Sequence, residues 1–187
     1  GIEVVTLYVL SRENLQRTPD EVEALVAIIS DMVEQIAQSD TYAVNLVGDL
    51  SVLPEPLRAR LEKAQESSRG GQPSVHVNVA VGYGGRQEIV NAIKSYLRAE
   101  SAAGTSMEDA INALTEESLA EHLYTKGQPD PDLIIRSSGE QRLSGFLIWQ
   151  SAYSEFFFCE AYWPAFRKTD FLRAVRDYSQ RQRRYGK

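Results

Sequence analysis

Short apolar segments alternate along this chain with longer segments of helical periodicity, and this alternation constrains the fold more than any other feature. Residues 3–10 (EVVTLYVL) are aliphatic and β-branched, which predicts a buried strand. Thr18, Pro19 and Glu21 predict a helix start with Thr18 as the N-cap, and apolar residues then recur at helical spacing up to Ile36. Strands that alternate with helices predict an α/β fold with a mostly parallel central sheet flanked by helices.

The same patterns place the remaining elements. We predict further strands at 43–48, 74–81, 133–135 and 156–158, with 146–148 lengthening the sheet. Helices are predicted at 54–67, 86–100 and 167–183, and a short helix opens at Thr115. The sequence has no internal repeat and no low-complexity linker. Its 187 residues are therefore predicted to form a single domain, 1–187.

The overall charge and the single cysteine exclude several classes of protein. A net charge of −6 argues against a nucleic-acid binder, although the arginines of the C-terminal third could still line a cationic pocket. Cys159 is the only cysteine, which excludes an internal disulfide and a cysteine-cluster zinc site. No apolar run is long enough to span a bilayer. We therefore predict a cytoplasmic protein with at most peripheral membrane contact.

The segment 130–166 carries the strongest functional signal. The apolar run 133–135 leads into Arg136, and a loop of small residues with Arg142 follows. Such a loop suits a polyanion, because backbone amides and hydroxyls can point inward and two guanidinium groups can grip phosphate oxygens. Glu155 lies in the next apolar segment, where a charge is costly unless it has a partner or a metal.

Polar residues also follow the other predicted strands. They are Ser11, Glu13, Asn14 and Arg17 after the first strand, Gly48 and Asp49 after the second, and Gly82–Arg86 after the third. Ligands of parallel α/β sheets bind beyond the carboxyl ends of the strands, so we expect these loops to converge on one rim. Arginines, serines and amides at helix starts suit diphosphate recognition.

Each of these pieces alone has an ordinary structural interpretation. The segment 11–14 could be a strand-to-helix turn without a ligand, and Gly84 and Gly85 could form a tight turn. Arg136 could pair with Asp132 or Glu140. The aromatic residues around 156–166 could serve the core and an interface. The joint occurrence of these residues at strand ends is what favours a functional site.

These motifs together resemble one family. The segments that carry the resemblance are SRENLQR at 11–17, GD at 48–49, YGGR at 83–86, the block 130–166 and RYG at 184–186. They are similar to the cis-prenyltransferases, the undecaprenyl diphosphate synthase family, and most resemble its actinobacterial short-chain members that make (2Z,6E)-farnesyl diphosphate. The resemblance implies the family's fold, with an apolar tunnel walled by the first and third helices.

The resemblance also implies an activity. Family members condense an allylic diphosphate, here geranyl diphosphate by analogy, with isopentenyl diphosphate into a short Z-prenyl diphosphate and release pyrophosphate. Arg136, Arg142 and Ser144 match the residues that hold isopentenyl diphosphate. Glu155 matches a carboxylate that binds Mg²⁺, and the family members are homodimers.

Further roles follow by position. Ser11 and Asn14 match residues proposed to assist removal of a proton from isopentenyl diphosphate, and Arg17 matches a nearby phosphate-site arginine. Arg184 and Gly186 match a C-terminal Arg-x-Gly motif that closes over the partner subunit's substrate.

Family members also carry an HxxDGNxRW segment before the first strand of this chain. We expect that segment to have been omitted or truncated here, and we expect the chain as printed to be inactive by itself. Three alternatives remain. They are an enzyme for irregular, branched isoprenoid coupling on the same scaffold, a non-catalytic accessory subunit of a heteromeric enzyme, and a phosphosugar- or nucleotide-binding domain.

Overall fold

The computed structural model describes residues 1–181, which fall into two compact units, Gly1–Gln128 and the segment from Pro129 onward. The first unit contains β1 (Val4–Ser11), α1 (Pro19–Ala37), β2 (Tyr42–Val47), α2 (Glu55–Ser67), β3 (Val75–Tyr83), α3 (Gly85–Ala102), α4 (Met107–Ala113) and α5 (Glu116–Ala120). The second contains β4 (Leu133–Arg136), β5 (Glu155–Phe158) and α6 (Lys168–Gln180). The prediction that both units form one domain stays a prediction.

The first unit is built on a parallel sheet with the strand order β1-β3-β2. Alternate residues of the central strand β3, from Val77 to Val81, pack into a core with α1 and α2. The opposite face carries a row of polar side chains across all three strands. Asn78 accepts a hydrogen bond from Asn45 at 3.0 Å and donates one to Thr6 at 3.1 Å. Because these three residues are direct neighbours in the ladder, the row helps to fix the strand register.

Local signals in the sequence explain the start of α1. Thr18 is the N-cap, Pro19 opens the helix, and the Glu21 carboxylate accepts hydrogen bonds from the Thr18 N–H at 3.2 Å and its hydroxyl at 2.8 Å. The predicted capping box is therefore confirmed.

The second unit pairs β4 with β5 in a parallel two-stranded sheet. The prediction of a strand at 146–148 is wrong, because this segment forms turns. Leu147 has a φ of 44°, outside the extended region, and its carbonyl accepts a hydrogen bond from the Ser151 N–H at 2.9 Å. Within residues 1–181, no helix is long and apolar enough to cross a membrane.

Candidate active site

The predicted pair Ser11 and Asn14 is brought together by the turn that follows β1. The Ser11 N–H donates to Asn14 Oδ1 at 3.0 Å, and the Asn14 N–H donates to Ser11 Oγ at 3.2 Å. Such reciprocal bonds fix a turn, because each side chain satisfies a backbone donor of the other residue. Both side-chain oxygens act as acceptors here, so the Ser11 hydroxyl and the Asn14 amide group are the donors that can face a ligand.

Arg12, which the sequence reasoning did not single out, connects this turn to the end of β2. Its Nη1 lies 2.8 Å from Asp49 Oδ2. The other oxygen of Asp49 accepts hydrogen bonds from the N–H and hydroxyl of Ser51. The Ser51 hydroxyl first, and then the Ser51 N–H and Arg12, hold the pKa of Asp49 below its ordinary value. The signal that could have predicted this pair is that Arg12 follows β1 and Asp49 follows β2, so that opposite charges lie beyond the ends of two strands of one sheet.

Two glycines allow the ends of β2 and β3 to lie almost backbone to backbone. A Cβ on Gly48, at φ 130°, would lie 2.0 Å from the Val81 carbonyl oxygen. A Cβ on Gly82, at φ 59°, would lie 2.7 Å from the Asp49 carbonyl oxygen. Any larger residue would separate these strand ends, so both positions require glycine.

The YGGR segment marks the start of α3, with Gly84 as N-cap and Gly85 as the first helical residue. The start of this helix therefore lies one residue before the predicted position. Arg86 is exposed on the first turn. Arg17, the predicted phosphate-site arginine beyond the β1 turn, has a side chain 51 % exposed and lies 3.9 Å from Glu21. Its role stays a prediction.

Arg136 ends β4, and its main-chain carbonyl accepts a hydrogen bond from the Cys159 N–H at 2.8 Å. Its Nε is buried and has no hydrogen-bond partner among residues 1–181. A buried donor left unsatisfied costs about 1–3 kcal/mol, which makes such a group rare in a folded protein without a ligand or water to accept from it. Neither of the ion pairs considered for Arg136, with Asp132 or with Glu140, is among its contacts that the structure describes.

The 137–147 loop stores backbone strain directly after Arg136. Among the described residues, the only non-glycine residues with positive φ are Ser138 at 76°, Ser144 at 50° and Leu147 at 44°, and all three lie in this loop. Left-handed backbone in residues with a Cβ costs roughly 1–2 kcal/mol each. Strain of this kind concentrates at binding sites, where the surrounding structure maintains it.

Two amides of this loop do not point inward as predicted. The Ser138 N–H donates to the Ala161 carbonyl at 2.8 Å, and the Gly139 N–H donates to the Cys159 carbonyl at 2.9 Å. Backbone pairing to the segment after β5 therefore satisfies these two amides, which leaves them no free hydrogen for an anion. Arg142 is 64 % exposed and pairs with Glu140, and Ser144 is exposed.

Glu155 begins β5 and pairs with an arginine that the sequence did not identify. Its Oε2 lies 2.7 Å from Nη1 of Arg181, which also pairs with Asp177 at 2.7 Å. The Glu155 hydrogen bond, followed by that of Asp177, raises the pKa of Arg181. Because 26 residues separate Glu155 from Arg181, no local pattern pointed to the pair.

A carboxylate oxygen is a suitable ligand for Mg²⁺, which proteins often hold through one or two carboxylates together with substrate phosphates. Within residues 1–181, no group of three or more His, Cys, Asp or Glu side chains could hold a metal ion. Glu155 thus fits as a single protein ligand of a phosphate-bound cation, and not as part of a preformed protein cage. Arg184 and Gly186 lie outside the described residues.

Known proteins resemble the chain over its whole length. The sequence pattern of the family described as undecaprenyl diphosphate synthase matches residues 1–186. The "Short-chain Z-isoprenyl diphosphate synthase" of Mycobacterium leprae is 60% identical over 188 residues, which cover 100% of this chain and 71% of that protein. The "(2Z,6E)-farnesyl diphosphate synthase" of Mycolicibacterium smegmatis is 59% identical, with 100% of this chain and 72% of that protein covered.

Solved structures confirm the predicted fold. Lavandulyl diphosphate synthase from Lavandula x intermedia, in complex with dimethylallyl diphosphate, matches with a TM-score of 0.89 at 34% identity, over 100% of this chain and 80% of the other. A probable undecaprenyl diphosphate synthase from Campylobacter jejuni matches with a TM-score of 0.82 at 28% identity, over 99% and 84%. The pattern match, the identities and the shared fold agree, and the chain belongs to the undecaprenyl diphosphate synthase family of prenyltransferases.

Proposed function

We propose that this protein condenses geranyl diphosphate with isopentenyl diphosphate to a short Z-prenyl diphosphate such as (2Z,6E)-farnesyl diphosphate. A bond forms between C1 of the allylic substrate and C4 of isopentenyl diphosphate. The C1–O bond breaks and releases pyrophosphate, and a proton leaves C2 of the isopentenyl unit. The names of the relatives from mycobacteria support this reaction class.

The observation that carries the proposal is the Nε of Arg136, which is buried and has no hydrogen-bond partner within residues 1–181, beside the strained 137–147 loop. A diphosphate oxygen would satisfy this donor through a charge-assisted hydrogen bond. We assign Arg136, Arg142 and Ser144 to the diphosphate of isopentenyl diphosphate. Arg142 reaches that role by exchanging Glu140 for the phosphate, and its exposure makes the exchange inexpensive.

Ser11 and Asn14 are assigned to the proton that leaves isopentenyl diphosphate. Their mutual hydrogen bonds hold them in one place before the substrate arrives, which reduces the entropy lost in reaching the reactive geometry. Arg17, Arg184 and Gly186 are assigned to the diphosphates by their match to the family's motifs.

We assign Glu155 to Mg²⁺. The cation, when bound, neutralises the charge that develops on the departing pyrophosphate. Glu155 supplies a carboxylate oxygen, and Arg181 balances its charge in the arrangement described. We also propose that the two units form one domain with an apolar tunnel for the growing chain, and that the protein is cytoplasmic.

A homodimer is proposed from the surface of the second unit. Tyr153, Tyr162 and Trp163 are 78%, 71% and 62% exposed. Large aromatic side chains are enriched at protein interfaces, and several on one small unit are costly to leave in water.

Irregular coupling is the second candidate, because the lavandulyl diphosphate synthase structure matches the whole chain. The test supplies the full-length protein with Mg²⁺ and either geranyl plus isopentenyl diphosphate or dimethylallyl diphosphate alone. A C15 Z-product in the first mixture supports the proposal. A branched C10 product in the second identifies the irregular enzyme. No product in either mixture contradicts both and favours an accessory subunit.

A further inference from the structure

A buried carboxylate with no assigned role, Glu88, lies in the first turn of α3. Glu88 is 1% exposed. Its Oε2 accepts a hydrogen bond from the Tyr83 hydroxyl, and its Oε1 accepts one from the Tyr124 main-chain N–H at 2.9 Å. The two carboxylate oxygens of Glu88 thus accept hydrogen bonds from two separate chain segments. A glutamine would offer only one acceptor oxygen to the same two donors, and an apolar side chain would offer none.

Tyr83, which Glu88 holds, is the last residue of β3 and is itself fully buried. Its ring packs edge-to-face against Tyr8 and Tyr124, with centroids 5.9 Å and 6.3 Å away. Its main-chain carbonyl accepts a hydrogen bond from the Arg12 N–H at 3.3 Å. Tyr83 is therefore hydrogen-bonded at both ends. Its hydroxyl donates to Glu88, and its main-chain carbonyl accepts from the turn that carries Ser11 and Asn14.

Further hydrogen bonds connect the first turns of α3 to the segment around Tyr124. The Tyr124 hydroxyl accepts a hydrogen bond from Asn91 at 2.9 Å, and Asn91 accepts one from Gln87 at 2.9 Å. Gln87, Glu88 and Asn91 all belong to the first two turns of α3. The start of α3 is thereby fastened to the segment around Tyr124 and, through Tyr83, to the end of β1.

We infer that Glu88 is a positioning residue for the transfer reaction. By holding Tyr83, it fixes the Ser11–Asn14 turn at the place where the proton of isopentenyl diphosphate is removed. This inference rests on the proposed function. It assigns Glu88 no contact with substrate; the effect passes through the Tyr83 backbone to the Arg12 N–H.

The test compares Tyr83→Phe and Glu88→Gln with Tyr96→Phe in the full-length protein. Tyr96 is a matched control, because it is also buried, lies on α3 and donates its hydroxyl hydrogen bond to the Ala110 carbonyl at 2.9 Å, away from the turn. Small displacements of catalytic groups cost up to about a hundredfold in rate, so we expect kcat to fall about tenfold or more in the two test variants. The KM for isopentenyl diphosphate and the kcat of Tyr96→Phe should stay within about twofold of wild type.

The double variant should be no less active than the less active of the two single variants, because both changes break the same hydrogen bond between Tyr83 and Glu88. Hydrogen exchange supplies a readout independent of turnover. Tyr83→Phe should raise deuterium uptake in the peptide containing Ser11–Asn14, and Tyr96→Phe should not.

Unchanged kcat in both test variants, or an equal loss in Tyr96→Phe, would overturn the inference. Unchanged exchange in the turn peptide of Tyr83→Phe would overturn it as well, whatever the activities. Absence of prenyl transfer by the wild-type protein would instead refute the proposed function, and the exchange result would still decide whether Tyr83 orders the turn.

Discussion

The turn after β1 and the loop after β4 both follow a parallel strand, and both combine serines with an arginine. In the turn, Ser11 and Asn14 satisfy each other, and Arg12 is paired with Asp49. In the 137–147 loop, three non-glycine residues adopt positive φ, and Arg136, which ends β4 directly before the loop, keeps a buried donor without a partner among the described residues.

This difference shows two ways in which a chain segment can be ready to bind a ligand. The polar groups of the turn already bond to one another, so the turn is ordered before a ligand binds and the ligand adds few hydrogen bonds to it. The loop carries unfavourable energy that an anion can relieve, so ligand binding and loop stability are coupled there. Substitutions in the loop should therefore change substrate affinity, and substitutions in the turn should change rate.

The largest expected effect is that of Arg136→Ala. The catalytic efficiency with isopentenyl diphosphate should fall about a hundredfold or more, because paired charge-assisted hydrogen bonds are lost. The melting temperature should change little, since the variant also removes a buried unsatisfied donor. Arg69→Ala is the control, because Arg69 is an exposed arginine paired with Glu66 on the surface. An unchanged KM for isopentenyl diphosphate would contradict the assignment of Arg136.

Glu155→Gln should have the next largest effect, on the metal requirement. The Mg²⁺ concentration for half-maximal rate should rise about tenfold or more, because amide oxygens bind this cation more weakly than carboxylates. Arg181→Gln is the informative partner variant, since it leaves the carboxylate and removes its ion pair. It should lower the Mg²⁺ requirement. The same metal dependence in wild type and Glu155→Gln would exclude Glu155 as a ligand.

Ser144→Gly should distinguish the effect of backbone strain on stability from the effect of the Ser144 hydroxyl on activity. Glycine adopts φ 50° without the Cβ penalty, so the free energy of unfolding should rise by about 0.5–1 kcal/mol. Efficiency with isopentenyl diphosphate should fall, because the hydroxyl is lost. Ser144→Ala loses the same hydroxyl but keeps the strain, and is the matched control. Urea unfolding should rank Ser144→Gly above Ser144→Ala; the reverse order would show that the loop stores no strain at this residue.

The smallest expected effect concerns the turn and its pH dependence. The pKa of Asp49 is lowered below its ordinary 3.8, first by the Ser51 hydroxyl bond and then by Arg12. A lowered carboxyl pKa contributes stability that is full above the ordinary value and is lost as the pH falls through the folded-state value. Wild type should exceed Asp49→Asn in unfolding free energy by less than about 1 kcal/mol near neutrality.

That difference should shrink below pH 3.8, the ordinary carboxyl value. Unfolding titrations at several pH values across this range measure it. Glu66→Gln, which removes an exposed carboxylate, controls for the general loss of negative charge. A difference between wild type and Asp49→Asn that grows on acidification would contradict the assigned sign.

Much of the fold could be predicted because its signals are local. Thr18, Pro19 and Glu21 specify a helix start within four residues, and β-branched runs specify strands. The turn at 11–14 could be predicted for the same reason, since its two hydrogen bonds span three residues, whereas the choice of Ser11 and Asn14 as a functional pair came from the family resemblance. The prediction failed at 146–148 because an apolar run does not reveal the positive φ that Leu147 adopts among the turns there.

The sequence by itself determined most of the elements, their parallel arrangement and the residue types that follow the strands, since each follows from periodicity and short-range hydrogen bonding. It did not predict α4, and it predicted a strand at 146–148 where the chain forms turns. Only the tertiary structure decided which charges are paired and which donors are left over. Arg181 meets Glu155 across 26 residues, and Glu88 meets the Tyr124 N–H across 36. Such pairs depend on how distant segments pack, and nothing in the local order of residues specifies them.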